Sequence, residues 1–315
     1  LLTTLISFFV DLILPVTVGF LLRYAASVKA RTIDRLMLVQ LFLLLPITTS
    51  LTFWVVSINA TLIWLPLIGV LMILLPGAVG LSYLRLKFQD PLEQGSFLMS
   101  VMLANRGIVG AISLFILFGE TGYAYAQLTM MLAPPIVYLL CFPLAQYFRH
   151  ISKYKNKYSI SIRSLFLNPR QLPLLGIVIG SILNLLDIAR PRPVGVALPF
   201  LIHIGAWLFL VPVGYSFNPV QIRHYIFKIW DILIIRHLIT PAIIAFLGYL
   251  IGYRGIILSC IMILSGSPVA ITAVVVSKLF GLKTDLASSG FVLSTSVYLI
   301  FVFPMYYLLA RHLLL

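Results

Sequence analysis

The run LMSVMLANRGIVGAISLFILFG (98–119) is apolar except at its middle, where Asn105, Arg106 and Gly107 interrupt it. Together they bring an amide, a permanent cation and a backbone-permissive glycine to one place. A guanidinium presents a planar fork of donors that matches the two oxygens of a carboxylate, so Arg106 in an apolar setting is a candidate ligand for an oxyanion. The competing reading is structural, because the same fork also satisfies backbone carbonyls where a helix breaks. Asn105 suits both roles. A second interruption falls at Ser265, Gly266, Ser267 and Pro268, followed by Thr272. The hydroxyls of Ser267 and Thr272 are further candidate ligands, although such groups often bond to their own helix. Gly110, Gly266 and Pro268 read as hinge positions, since glycine permits nonhelical backbone and proline removes a donor.

Other chemistries find less footing. The chain has no Walker loop, no metal-binding histidine pair and no Gly-x-Ser-x-Gly elbow. No base and nucleophile share a midplane, so neither an enzyme nor a metal or cofactor is expected. Cys141 and Cys260 lie inside apolar runs and read as small packing residues. The histidines, His150, His203, His224, His237 and His312, fall mostly near predicted interfaces.

The elements that hold these residues follow from composition. The 315 residues are 61% hydrophobic and 10% charged, against about 25% charged in a soluble domain. The apolar runs are long enough to cross a hydrocarbon core of roughly 30 Å. They predict an all-α polytopic membrane protein with ten spans, at 5–25, 36–57, 62–84, 96–118, 122–147, 171–187, 196–217, 236–253, 256–279 and 286–310. The first reads as a span rather than a signal peptide, lacking a basic start and a cleavage site, and Leu1 in place of Met suggests a trimmed start. No stretch is polar and long enough for a separate soluble domain.

The net charge of +14 points to topology rather than to nucleic acid. Connections after spans one, three, five, seven and nine hold 17 of the 22 Lys and Arg residues, among them Arg23, Arg85, Lys87, Arg149, Lys228, Arg236, Lys278 and Lys283. Arg190, Arg192, Arg254 and Arg311 fall on the other side. By the positive-inside rule both termini lie outside the cytoplasm of a cell-membrane protein. The longest connection, RHISKYKNKYSISIRSLFLNPR (149–170), is a basic cytoplasmic linker suited to anionic lipid headgroups. PVQIRHYIFKIWDILII (219–235) reads as an interfacial segment before span eight, or else as a longer span eight that carries Asp231 and Arg236 deeper.

The linker divides the chain into halves of five spans, 1–148 and 171–315, which together form one domain. An odd number of spans per half inverts the second half relative to the first. ANRGIVGAISLFILFG (104–119) aligns without gaps on GSPVAITAVVVSKLFG (266–281), and LLCFPL (139–144) on IFVFPM (300–305). LPVTVG (14–19) pairs with LPLLG (172–176), and LLLPITTS (43–50) with FLVPVGYS (209–216). Four matches in one order predict an inverted five-plus-five repeat, the design that alternates access to a midplane site. Spans four and nine then carry breaks at equal depth, and paired half-helix N-termini favour an anion.

LPVTVGFLLR in span one, the Asn-x-Gly-x-x-Gly pattern of Asn105, Gly107 and Gly110 with FGETGYAYAQL after it, and Pro268 with KLFGLKTDLASSGFVLST resemble the auxin efflux carrier family, which includes plant PIN transporters and bacterial permeases. The resemblance covers nearly the whole chain. It implies a fold like that of bile acid sodium symporters, in which crossed spans four and nine enclose the substrate and spans one, two, six and seven form a scaffold. It also implies carriage of small organic anions. The chain departs from the family at Arg106, where relatives have a small or hydroxyl residue, at Ile112, where they commonly have proline, and at Thr272 or Ala273, where asparagine or a second proline is frequent.

The expected function is therefore a secondary transporter of a small organic anion, with membrane lipid and a second copy of the chain as further partners. A channel or receptor using the same cavity is the alternative. Of the eight acids, nearly all fall near predicted interfaces and only Asp11 falls well inside a span. It is a candidate for ion coupling or a solvated helix end, and anion movement is expected to follow membrane potential or to use no deep carboxylate.

Overall fold

A computed structural model describes residues 6, 9–24, 30–56, 60–152, 172–215 and 225–313. These are helical without strands. Most of the basic linker and the start of the segment from 219 to 235 lie outside the described residues.

The helices are α1 (Phe9–Leu22), α2 (Arg31–Phe53), α3 (Leu62–Lys87), α4 (Pro91–Met102), α5 (Arg106–Met130), α6 (133–151), α7 (Leu172–Leu185), α8 (Arg192–Tyr215), α9 (Tyr225–Ile251), α10 (Gly255–Ser265), α11 (Ile271–Leu279) and α12 (Thr284–Leu309). Six of them, α2, α3, α5, α8, α9 and α12, are long and apolar enough to cross a membrane, and α1, α10 and much of α7 are shorter apolar helices. The sequence places spans at 96–118 and 256–279, each with a break inside it. Each is two pieces, α4 then α5 and α10 then α11, separated at 103–105 and 266–270.

Proline shapes the helices at five sites. The π turns Phe9–Ile13, Gln40–Leu44, Val137–Cys141, Ile235–Ile239 and Tyr298–Val302 each end two residues before a proline, namely Pro15, Pro46, Pro143, Pro241 and Pro304. A proline ring clashes with the carbonyl four residues back and cannot bond to it. The preceding turn widens: Leu45 donates to Gln40 O, Phe142 to Val137 O, Thr240 to Ile235 O and Phe303 to Tyr298 O. The aligned segments LLCFPL and IFVFPM share this local structure.

Two aligned glycines also agree. Gly119 and Gly281 have φ of 62° and 63°, so both helices that follow a break end in backbone that L side chains rarely adopt. Gly119 kinks α5, and just beyond it a Cβ on Gly122 would overlap the Leu114 carbonyl. Nothing surrounds the Gly119 Cβ position within 4 Å, so Gly119→Ala is expected to cost the strain of a backbone region that is essentially glycine's alone (φ 62°, ψ −148°), about 1–3 kcal/mol. The check is a modestly lowered unfolding midpoint with unchanged oligomeric profile.

The chain falls into two compact units. The first holds Leu1–Trp64, Gly107–Met131 and Leu167–Phe217; the second holds Leu65–Arg106, Leu132–Phe166 and Asn218–Leu315. In the first, α1 packs on α8 through glycines that replace side chains: a Cβ on Gly19 would overlap Val211 O, and one on Gly214 would overlap Val16 O. Small residues let backbones approach in this way when no hydrophobic force drives helices together. α2 packs on α7 likewise, with Gly176 against Pro46 O and Gly180 against Ser50 O. Span one thus meets span seven as span two meets span six. Polar contacts tie one end of this unit: Arg190 pairs with Glu120 at 3.0 Å and donates to Leu51 O, while Trp54 Nε1 donates to Ile188 O.

In the second unit, α3 packs on α4, α9 on α10 and α11 on α12. Its charged connections pair with one another. Lys87 bonds to Asp231, which also accepts from the Tyr83 hydroxyl at 2.6 Å; Lys228 lies 3.8 Å from Glu93 and Lys283 3.6 Å from Asp90. Arg149 donates to Gly281 O at 3.0 Å. Pairs this exposed contribute little stability, yet they join connections that the positive-inside rule assigns to one side.

Candidate functional site

The two interruptions meet in the second unit. α4 ends at Met102 and the chain extends through Leu103, Ala104 and Asn105; α10 ends at Ser265 and the chain unwinds to Ala270. Ala104 and Val269 form an antiparallel bridge, in which Asn105 N–H donates to Pro268 O at 2.7 Å and Ala270 N–H to Leu103 O at 2.8 Å. Short extended backbone at membrane depth is tolerated only where such bonds replace water.

The remaining carbonyls of the second break are held by α9. Arg236, fully buried, donates to Ser265 O at 3.2 Å, to Ser267 O at 2.8 and 3.3 Å, and to Val101 O at 3.3 Å near the end of α4. One guanidinium therefore clamps both breaks. His237 Nδ1 lies 2.8 Å from Gly266 O, the Ser294 hydroxyl accepts from Val269 N–H, and Gly266 gives room to the Tyr306 hydroxyl, which a Cβ there would overlap.

The sequence reading counts Arg236 with the cytoplasmic connections. The structure corrects this: α9 starts near Tyr225 rather than at 236, and Arg236 lies about 17 Å along it at 1.5 Å per residue. The signal was the mixed segment from 219 to 235, read alternatively as a longer span eight. His237, buried beside Arg236, is likewise away from any interface.

Arg106 is 1% exposed. Among the described residues it makes one hydrogen bond, Nη1 to Gly69 O at 3.3 Å, and its Nε has no partner. Among the described residues no carboxylate pairs with either Arg106 or Arg236. Carbonyl binding at the breaks, which the sequence allows for Arg106, is thus carried by Arg236. Among the described residues the fully buried Ser267 hydroxyl and the Tyr306 hydroxyl over Gly266 have no partner. Buried polar atoms are rarely left so. Arg106 and Ser267 each stand one residue from the Asn105–Pro268 bond. A buried cation, hydroxyls without partners among the described residues and the uncapped start of α11 at Ala270 are each group types that can bind an oxyanion.

The other candidates separate by position. Asn105 is buried at the bridge, Gly266 and Pro268 form the second break, and Thr272 is half-buried in the first turn of α11. Gly107 and Gly110 belong to the first unit, where the Gly107 carbonyl accepts from Gln127 at 3.3 Å and Gly107 lines a cavity of about 10 Å³ with Gln40, Thr48 and Tyr123. Asp11 also lies in the first unit, 3% exposed and paired with His203 rather than solvated. His203 is the twelfth residue of the 24 in α8, at mid-depth rather than near an interface. Compared with known proteins, the chain matches no family model and no curated protein.

Proposed function

We propose that this protein is a secondary transporter that binds a small organic anion, most simply a carboxylate, at the paired breaks and moves it by alternating access. The observation that carries the reading is Arg106, a buried cation with one long carbonyl bond and, among the described residues, an unpartnered Nε, in a chain segment bridged to the break that holds Ser267. Burying an arginine without a counter-charge costs several kcal/mol. An anion that enters to pair with it recovers that cost, which makes the charge a source of affinity.

The inverted five-plus-five arrangement, with spans four and nine crossed, is supported by features shared between aligned segments. Both broken spans contribute to the bridge, both following helices end at a positive-φ glycine, both LLCFPL and IFVFPM carry a π turn before proline, and span one meets seven as two meets six. The grouping of charged connections supports a cell-membrane orientation with both termini non-cytoplasmic. These are the traits expected of an auxin efflux carrier-like permease.

The test is counterflow in proteoliposomes. Vesicles loaded with an unlabelled carboxylate should accumulate the labelled one transiently, with saturable rates, and an imposed potential should bias net flux. Continuous conductance far above carrier turnover would make the protein a channel, and binding without flux a receptor.

A further inference from the structure

A second polar pair lies within the apolar body of the first unit. Asp11 sits in the π turn of α1 with its side chain 4% exposed, and its Oδ2 is 2.7 Å from His203 Nδ1. His203 lies roughly 17 Å along α8, near the middle of a 24-residue span. Both line a groove of about 410 Å³ whose other walls are Ile6, Val10, Phe200, Ile204, Trp207 and Leu208, and the Phe115 ring packs edge-on against the imidazole at 5.6 Å. Among the described residues, the groove that the pair opens onto is otherwise lined by apolar side chains. Of the other charged groups on those elements whose side chains are described, Arg192 on α8, Arg31 and Arg35 on α2 and Glu120 on α5 line no part of the groove, Glu120 pairs with Arg190, and Arg106 at the start of α5 belongs to the second unit; the Asp34 side chain on α2 lies outside the described ones.

We propose that Asp11 and His203 form a proton-binding site inside the membrane, and that a proton taken up there travels with the anion. The second part rests on the carrier reading above. A carboxylate and an imidazole hydrogen-bonded in apolar surroundings titrate as one unit. With a proton on Nε2 and a second on the Oδ2–Nδ1 bond the pair is neutral overall; when one of the two leaves, a carboxylate and a neutral imidazole remain and the pair carries a charge of −1. The neutral form suits hydrocarbon, and the charged form is expensive there. Proton release is therefore tied to exposure of the site to water, which is what coupling to an access change requires. The imidazole side chain, 39% exposed against 4% for the carboxylate, is the side from which the proton exchanges. A static bond between α1 and α8 would need no titratable donor.

The full chain, reconstituted in lipid, is titrated while the carboxyl and imidazole bands are followed by infrared difference spectroscopy. Asp11→Asn and His203→Gln are compared with the parent, each first checked for a cooperative melt. A band that titrates in the parent and is lost in both variants is the expected result. In vesicles holding a pH-sensitive dye, anion uptake by the parent should move protons, and protons moved per anion should fall to zero in Asp11→Asn. A titrating band that persists in Asp11→Asn, or an unchanged ratio of protons to anion, overturns the proposal. If the band behaves as expected but no anion moves, the proton site stands and the carrier reading falls. If the parent moves the anion without protons, the carrier reading stands and coupling through this pair is refuted.

Discussion

Arg106→Gln is expected to leave the protein folded, with equal or higher thermal stability, and to weaken anion binding at least about 30-fold, the equivalent of about 2 kcal/mol lost with one partner of a buried charge pair. The two effects have opposite signs because Arg106 does little for the fold. Its bond to Gly69 O at 3.3 Å can be kept by a glutamine amide, whereas the uncompensated charge, which destabilises the empty site, is removed. An anion that binds the folded state raises the unfolding midpoint of the parent by mass action. In Arg106→Gln that rise should vanish. The measurement is a melting curve for each form with and without millimolar carboxylates, beside saturation curves for uptake. A variant that melts far below the parent, or binds the anion equally well, would return Arg106 to a purely structural role.

Arg236→Met should do the reverse and destroy the fold. Arg236 donates to three carbonyls from two breaks, all fully enclosed. Charge-assisted bonds of this kind contribute roughly 1.5–3 kcal/mol each, and a carbonyl left bare costs a similar amount. The loss is thus comparable to the whole stability of a typical domain, about 5–15 kcal/mol, and the expected readout is aggregated or degraded protein. Arg236→Lys should fare little better, because an ammonium cannot reproduce the planar fork that reaches Val101 O, Ser265 O and Ser267 O together. Folded, monodisperse Arg236→Lys with normal uptake would show that the breaks hold without the clamp.

The contrast between these arginines marks where sequence reading stopped. Both are single cations among apolar neighbours. Arg106 stood out because glycine and asparagine flank it in a clean span. Arg236 was masked by Lys228, Asp231 and His237, which blur the start of α9 into what reads as an interfacial segment. Asp11 was visible as an acid within a span, but its depth and its partner His203, 192 positions away in the numbering, come together only when α1 packs on α8.

What the sequence by itself determined was the helical, membrane-spanning character and the location of both breaks, because these depend on local properties: hydrophobic run length, charge distribution, and the backbone limits of glycine and proline. The boundary expected between 118 and 122 falls on the kink at Gly119. Only the tertiary structure decided that the breaks bond to each other, that Arg236 rather than Arg106 satisfies their carbonyls, and that Asp11 meets a histidine. Each of these turns on which distant groups compete for the same buried partner, and a free carbonyl binds whichever donor packing brings nearest.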